Sequence, residues 1–138
     1  MSNKYILDAC ALIAYLNNEP GMDVVKTVLT KAVKHEASVT MNKINLLEVY
    51  YDVYRRCGED EATDLLETIS VAPINIIHEI SDDVLKVAGR LKASYKISIA
   101  DSIALAEALL ADCQLVTSDH HEFDIIEKSE NITFHWIR

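Results

Sequence analysis

The sequence has few of the residues that are typical of loops, disorder or cross-linked scaffolds. Its 138 residues include only three glycines, two prolines and three cysteines. Half of the residues are hydrophobic, whereas chains that stay disordered are poor in hydrophobic residues. The composition therefore excludes a disordered chain and a loop-rich scaffold, and it predicts one globular domain over residues 1–138.

Features of secreted and membrane proteins are also missing. Cys10, Cys57 and Cys113 are odd in number, form no C-x-x-C pair and lie in apolar surroundings, which predicts buried thiols in a reducing compartment. No signal peptide is visible at the start of the chain. The longest apolar run, Ala9–Leu16, is too short to span a bilayer. We therefore expect a cytoplasmic protein that makes no membrane contact.

Positive charge is scarce. The chain has 13 Lys and Arg residues against 22 Asp and Glu residues, which gives a net charge of −9. Such a protein binds phosphate backbones poorly in general, so a phosphate substrate would need metal ions or a local basic patch. The sequence also lacks a P-loop, a G-x-G-x-x-G motif and a G-x-S-x-G nucleophile elbow.

The hydrophobic pattern predicts alternating strands and helices. Helices are predicted over residues 9–17, 22–35, 43–56 and 59–69. A further helix is predicted from a cap at Ser81 to about residue 95, and another from a cap at Ser98 to about residue 111. The adjacent residues His120 and His121 are predicted to lie in a surface loop rather than to bind a metal. The strands are unbroken apolar runs, which indicates burial on both faces and an α/β fold with a mostly parallel sheet flanked by helices. The predicted strands are Lys4–Leu7, Ser38–Met41, Ile74–Ile77, Gln114–Thr117 and Ile132–Ile137.

Four acidic residues border or interrupt these hydrophobic elements: Asp8, Glu48, Asp101 and Asp119. A carboxylate is costly to desolvate unless something compensates it. Asp8 and Asp119 follow predicted strands, and sites in parallel sheets form beyond the carboxyl ends of strands. If the fold brings the four acids together, their mutual repulsion calls for a cation, and carboxylates suit Mg²⁺ or Mn²⁺.

Each acid also has a structural interpretation. Asp8 could cap the helix that begins at Ala9, and Asp101 could form a capping box with Ser98. Asp119 could be an ordinary turn residue. Glu48 shares a polar stripe with Asn45 and Asp52 on a helix that looks largely buried, and the alternative is a solvated face.

The combined pattern resembles the PIN-domain nucleases, and within them the VapC-type toxin ribonucleases of bacteria and archaea. The resemblance implies a PIN-like fold with a central five-stranded parallel sheet. It also implies a homodimer, an RNA substrate and inhibition by a cognate antitoxin protein. The matching segments occur in the family's order and are Ile6–Leu16, Glu19–Gly21, Asn45–Tyr51, Ile99–Ala106 and Leu115–Asp119.

The resemblance also assigns roles to residues of this chain. It implies that Asp8, Glu48, Asp101 and Asp119 hold Mg²⁺ or Mn²⁺, so that a metal-activated water hydrolyses RNA phosphodiester bonds. Further supporting residues are Thr117, Ser118, Asn45 and Asp124. One departure is Cys10, where many relatives carry a hydroxyl residue, and a thiol is a weaker hydrogen-bond donor.

The basic residues Lys43, Arg55 and Arg56 could steer the RNA strand, or they could be a solvated helix end. Two other functions stay open at this point. One is a PIN-type nuclease of RNA maturation. The other is a non-catalytic PIN-like binding module, which would be expected to lack acids of the quartet.

Overall fold

A single parallel sheet forms the centre of the protein in a computed structural model that describes residues 3–138. All four strand pairings are parallel, and the strand order is β3-β2-β1-β4-β5. The prediction of an α/β fold with a parallel five-stranded sheet is therefore confirmed. The strands are β1 Asn3–Leu7, β2 Ala37–Asn42, β3 Asn75–Ile77, β4 Gln114–Thr117 and β5 Thr133–Trp136.

Helices cover both faces of this sheet. Side chains alternate along β1, so that Tyr5 and Leu7 pack against α1–α4 while Ile6 packs against α5–α7. Two hydrophobic clusters result, one on each side of the sheet. The helices are α1 Ala9–Leu16, α2 Met22–Val33, α3 Lys43–Cys57, α4 Glu59–Val71, α5 Asp82–Ser94, α6 Ile99–Ala111 and α7 His120–Ser129.

The main error of the sequence-based prediction is the missing helix α7. His120 and His121 were expected in a surface loop, but they are the first two residues of this helix. Only Phe123 and Ile126 of α7 are buried, so the apolar periodicity that indicates a helix is short.

Among residues 3–138, no helix is long and apolar enough to cross a bilayer.

Helix α3 is less buried than the sequence suggested. Leu47 is 59% exposed and Tyr51 is 63% exposed, whereas Asn45, Leu46 and Val49 face the core. The expectation of a largely buried helix was therefore wrong. The apolar residues of α3 cover both a core face and a solvent face, and composition alone cannot separate the two.

The strand order creates a switch point between β1 and β4. From β1 the chain moves outward to β2 and β3, then returns to the other side of β1 with β4 and β5. In open parallel sheets, ligands bind beyond the carboxyl ends of strands at such a point. Asp8 directly follows β1, and its backbone N–H lies 3.4 Å from the carbonyl oxygen of Val116 in β4.

Candidate active site

Asp8 combines a structural and a chemical role. It caps α1 by accepting a hydrogen bond of 2.8 Å from the backbone N–H of Ala11, and it is only 3% exposed. Burial raises the pKa of its carboxyl to about 7, Asp101 and Asp119 add repulsion, and hydrogen bonds from Thr117 and Ala11 oppose the rise. The capping interpretation is therefore correct, but it leaves a buried carboxylate that is costly to ionise.

Asp101 lies in the first turn of α6 and faces other acids. Its backbone N–H donates to the Ser98 hydroxyl at 3.0 Å, as a capping box requires. Partial burial raises the pKa of the Asp101 carboxyl, and repulsion from Asp119 and Glu122 raises it further, while hydrogen bonding to Ser98 lowers it. Capping and crowding thus occur at the same side chain.

Asp119 is a helix cap rather than a simple turn residue. Its carboxylate accepts a hydrogen bond of 3.2 Å from the backbone N–H of Glu122, which starts α7. Its own backbone N–H donates to the Thr117 hydroxyl at 3.1 Å. Thr117 also lowers the pKa of the Asp8 carboxyl, so one buried hydroxyl influences both acids that follow β1 and β4.

Glu48 reaches the same region from α3. Its side chain is exposed, and the pKa of its carboxyl is raised by partial desolvation and by repulsion from Asp101. The polar stripe predicted around it does not act as a unit. Asn45 is buried, and its Nδ2 has no hydrogen-bond partner among the described residues, whereas Asp52 forms salt bridges with Arg55 and Arg56.

Asp101 connects the four acids electrostatically, because its charge interacts with those of Asp8, Glu48 and Asp119. None of the four takes part in a salt bridge within residues 3–138. In the same part of the chain, no three Asp, Glu, His or Cys side chains are gathered in a geometry that could hold a metal ion. The acids repel one another electrostatically, but they do not form a preassembled ligand shell. Crowded carboxylates with no basic partner nevertheless have the chemistry of a divalent-cation site.

The predicted supporting residues divide into two groups. Thr117 is fully buried beside Asp8 and Asp119, and the Ser118 hydroxyl contacts the Cys10 thiol at 2.9 Å. Asp124 is instead exposed and binds the imidazole of His120 at 2.7 Å. Thr117 and Ser118 therefore lie where the acids meet, whereas Asp124 acts through a neighbouring side chain.

The structure places one further acid, Glu122, near the site, and the sequence did not predict it. It lies on the first turn of α7, and its charge adds to the repulsion that Asp101 experiences. The available signal was its spacing from Asp119, because an Asp followed by a Glu three residues later is a helix-start pattern. Recognising that pattern would also have predicted α7.

Comparison with known families identifies the fold. The family model of the PIN domain matches residues 5–128. The chain belongs to the PIN domain family. The predicted resemblance is therefore confirmed at the level of the family. A comparison with curated protein sequences gave no match.

Solved structures support the same fold. A chain of DNA-bound VapBC from Salmonella typhimurium is 13% identical in sequence to this protein. The match covers 99% of this chain and 99% of that one, with a TM-score of 0.74. VapBC2 from Rickettsia felis bound to a promoter DNA fragment is 17% identical, covers 96% of this chain and 98% of that one, and has a TM-score of 0.73. VapC20 from Mycobacterium tuberculosis, a toxin that cleaves the sarcin–ricin loop, is 14% identical, with 94% and 96% coverage and a TM-score of 0.66.

Proposed function

We propose that this PIN domain is a metal-dependent endoribonuclease and the toxin of a toxin–antitoxin pair. The observation that carries the proposal is the electrostatic repulsion that links Asp8, Glu48 and Asp119 through Asp101, with no salt bridge to any of the four among residues 3–138. The named activity of VapC20 supports RNA cleavage, and the VapBC complexes support an antitoxin partner.

The four acids would hold Mg²⁺ or Mn²⁺. Asp8 and Asp101 are the proposed direct ligands, and Glu48 and Asp119 would bind through water or a second ion. When bound, the cation supplies Lewis-acid chemistry: it activates water and offsets negative charge on the scissile phosphate. Hard divalent cations of this kind prefer carboxylate oxygens, which is the donor set that these residues provide.

The chain's own groups prepare this site. The hydrogen bond from the backbone N–H of Ala11 orients the Asp8 carboxylate. With a pKa of about 7, Asp8 is close to half protonated at neutral pH without a cation. Binding of the cation would therefore displace a proton from Asp8. The affinity for the cation should fall as the pH falls below neutrality.

Basic residues that could contact the RNA are few. Lys43 is exposed at the start of α3 and makes no salt bridge within residues 3–138. Arg55 and Arg56 are bound to Asp52, at 3.2 Å and 2.8 Å. We propose Lys43 as the first of the three to contact phosphate, because Arg55 and Arg56 would have to leave Asp52 or share it.

A homodimer and an antitoxin are proposed as the protein partners. Helices α3 and α4 carry exposed apolar residues, among them Leu47, Tyr51 and Leu66. Apolar surface of this kind is typical of an interaction site. Sedimentation at micromolar concentration tests the dimer, and a monomer there would contradict it.

The decisive experiment compares RNA cleavage by the purified wild type and Asp8→Asn in Mn²⁺ and in chelator. We expect cleavage by the wild type only, dependent on the metal, with Asp8→Asn folded and inactive. Asp64→Asn, at an exposed acid on α4, is the matched control and should keep wild-type activity. If the wild type cuts no RNA in Mn²⁺, the nuclease proposal fails and the non-catalytic binding module takes its place.

Expression in cells separates a toxin from an RNA-maturation nuclease. A toxin should slow the growth of a host that lacks the antitoxin, and Asp8→Asn should restore growth. RNA cleavage in vitro without any growth effect would favour the maturation nuclease.

A further inference from the structure

A run of stacked aromatic rings ends at the surface beside the candidate active site. The imidazole of His120 lies on the indole of Trp136 with 3.7 Å between ring centroids and 13° between planes. Trp136 is in turn stacked on Phe134, at 5.1 Å and 10°. Phe134 contacts Phe123, which is fully buried in the core. The run therefore connects the core to an exposed imidazole.

The ring of His120 is held rigidly. Its Nδ1 lies 2.7 Å from the Asp124 carboxylate, and its Nε2 lies 2.7 Å from the backbone carbonyl oxygen of Arg138. The indole beneath it is fixed as well, because Nε1 of Trp136 donates to Glu127 at 2.9 Å. Both partners of His120 are acceptors, so the neutral imidazole donates to one of them and the protonated ring donates to both. In either form the ring is held by hydrogen bonding and by one stacking contact, so it loses little further freedom when a ligand binds.

One face of this ring remains open. The side chain of His120 is 46% exposed, although one face is covered by Trp136 and both nitrogens are occupied. The exposed area must therefore come largely from the outer face. An imidazole so firmly held yet uncovered presents a flat surface to a second flat group.

We infer that the outer face of His120 is a stacking platform for a single unpaired nucleobase of the RNA, next to the cleaved phosphate. The inference rests on the proposed function. His120 directly follows Asp119, so their Cα atoms are about 3.8 Å apart, and a base lies one sugar away from its phosphate. Bases in single strands and loops stack on His and other aromatic side chains, whereas bases inside a duplex have both faces covered.

The charges around the platform favour a base over a phosphate. Asp124 and Glu127 lie on α7, and they repel the RNA backbone. Stacking needs no positive charge, and it tolerates every base because each has a π-face. The platform thus gives an acidic protein a way to hold RNA through the face of a ring, without a lysine or arginine side chain.

Binding of short single-stranded RNA in Ca²⁺ tests the platform, since Ca²⁺ occupies oxygen sites and we expect it to support cleavage poorly. Trp136 is the only tryptophan in the chain, so its fluorescence reports binding at the ring above it. The probes are one RNA that the wild type cuts and a series of the same RNA in which each base is removed in turn. If the wild type cuts none, a uridine oligonucleotide series replaces it.

We expect His120→Ala to weaken binding of the intact RNA about tenfold, the size of one lost base–aromatic stack. The wild type should lose a similar amount of affinity when one particular base is removed from the RNA. His120→Ala should bind that abasic RNA as tightly as it binds the intact RNA. His120→Phe, which keeps the flat face and loses both hydrogen bonds, should restore most of the affinity. His121→Ala is the matched control, because His121 is the next residue and its side chain is 94% exposed.

Equal binding by His120→Ala and His121→Ala overturns the platform, as does a loss in His120→Ala that is the same for every abasic RNA. Cleavage by the wild type in Mn²⁺ is measured separately. Cleavage without any dependence on His120 overturns the platform and leaves the nuclease standing. Base-dependent binding without cleavage supports the platform and overturns the proposed nuclease activity.

Discussion

The thiol of Cys10 lies 2.9 Å from the hydroxyl of Ser118, which joins the first turn of α1 to the loop after β4. The backbone N–H of Ser118 also donates to the sulfur at 3.4 Å. This contact links the segment that follows Asp8 to the segment that precedes Asp119. Cys10 thus connects the two segments that carry Asp8 and Asp119.

Removal of this contact should cost little stability and more activity. Cys10→Ala should lower the free energy of unfolding by about 1 kcal/mol, the net value of a neutral hydrogen bond. Cys10→Ser keeps a donor and an acceptor at the same place, so it should retain most of the stability and the RNA cleavage rate. Urea denaturation and a cleavage assay in Mn²⁺ measure both quantities. Identical cleavage rates for the Ala and Ser variants would contradict a positioning role for Cys10.

The metal-free protein should lose stability as the pH rises, because the folded state raises the pKa of Asp8 from 3.8 to about 7. The folded protein then binds more protons than the unfolded chain between these values. The stabilising effect of the protonated carboxyl is complete below about pH 4 and is lost as the pH rises through about 7. The loss for this one group is of the order of a few kcal/mol.

Asp8→Asn should remove most of this pH dependence. Asn can still accept the hydrogen bond from Ala11 as a helix cap, and it cannot ionise. In chelator we expect the variant to melt higher than the wild type at pH 8, with a smaller difference at pH 5. Thermal melts at both pH values measure this. Parallel curves for the two proteins would show that Asp8 does not titrate in this range.

Asp101→Asn should leave the metal-free protein at least as stable as the wild type. Burial and repulsion from Asp119 and Glu122 disfavour its charge, and Asn removes that charge. The variant should also gain less stability from Mn²⁺. Melting curves in chelator and in Mn²⁺ test both statements, with Asp60→Asn at the exposed first turn of α4 as the control. A large loss of stability in chelator would mean that capping dominates at Asp101.

Gly21→Ala should destabilise the protein by about 1–3 kcal/mol, because its backbone has φ of +98° and an alanine Cβ would lie 2.8 Å from Ile137. The matched control is Gly89→Ala, where no atom lies within 4 Å of the new methyl group. Gly89 lies inside α5, so alanine there should stabilise the helix by up to about 1 kcal/mol. Urea denaturation of the two variants should therefore give opposite signs. Equal effects would show that the contact with Ile137 relaxes freely.

Local sequence signals were sufficient where a strand is an apolar run or where a helix begins at a recognised cap. The apolar run of β1 and the caps at Ser81 and Ser98 predicted their elements to within a residue or two. Helix α7 was missed because only Phe123 and Ile126 face the core. The exposure of α3 was misjudged because its Leu and Tyr residues occupy two faces. Helix α5 also buries only Ala88 and Leu91, but its cap was recognised, whereas the cap of α7 at Asp119 was not.

The sequence by itself determined the α/β fold, the parallel sheet and the four acids, because these depend on residue type and spacing along the chain. Only the tertiary structure decided which groups interact. It brought Glu48 of α3 toward Asp101 of α6, and it placed the hydroxyl of Thr117 where it accepts from the Asp119 backbone and lowers the pKa of Asp8. It also stacked His120 on Trp136 of a different element. Interaction energies depend on distance and burial in space, and sequence separation does not reveal either.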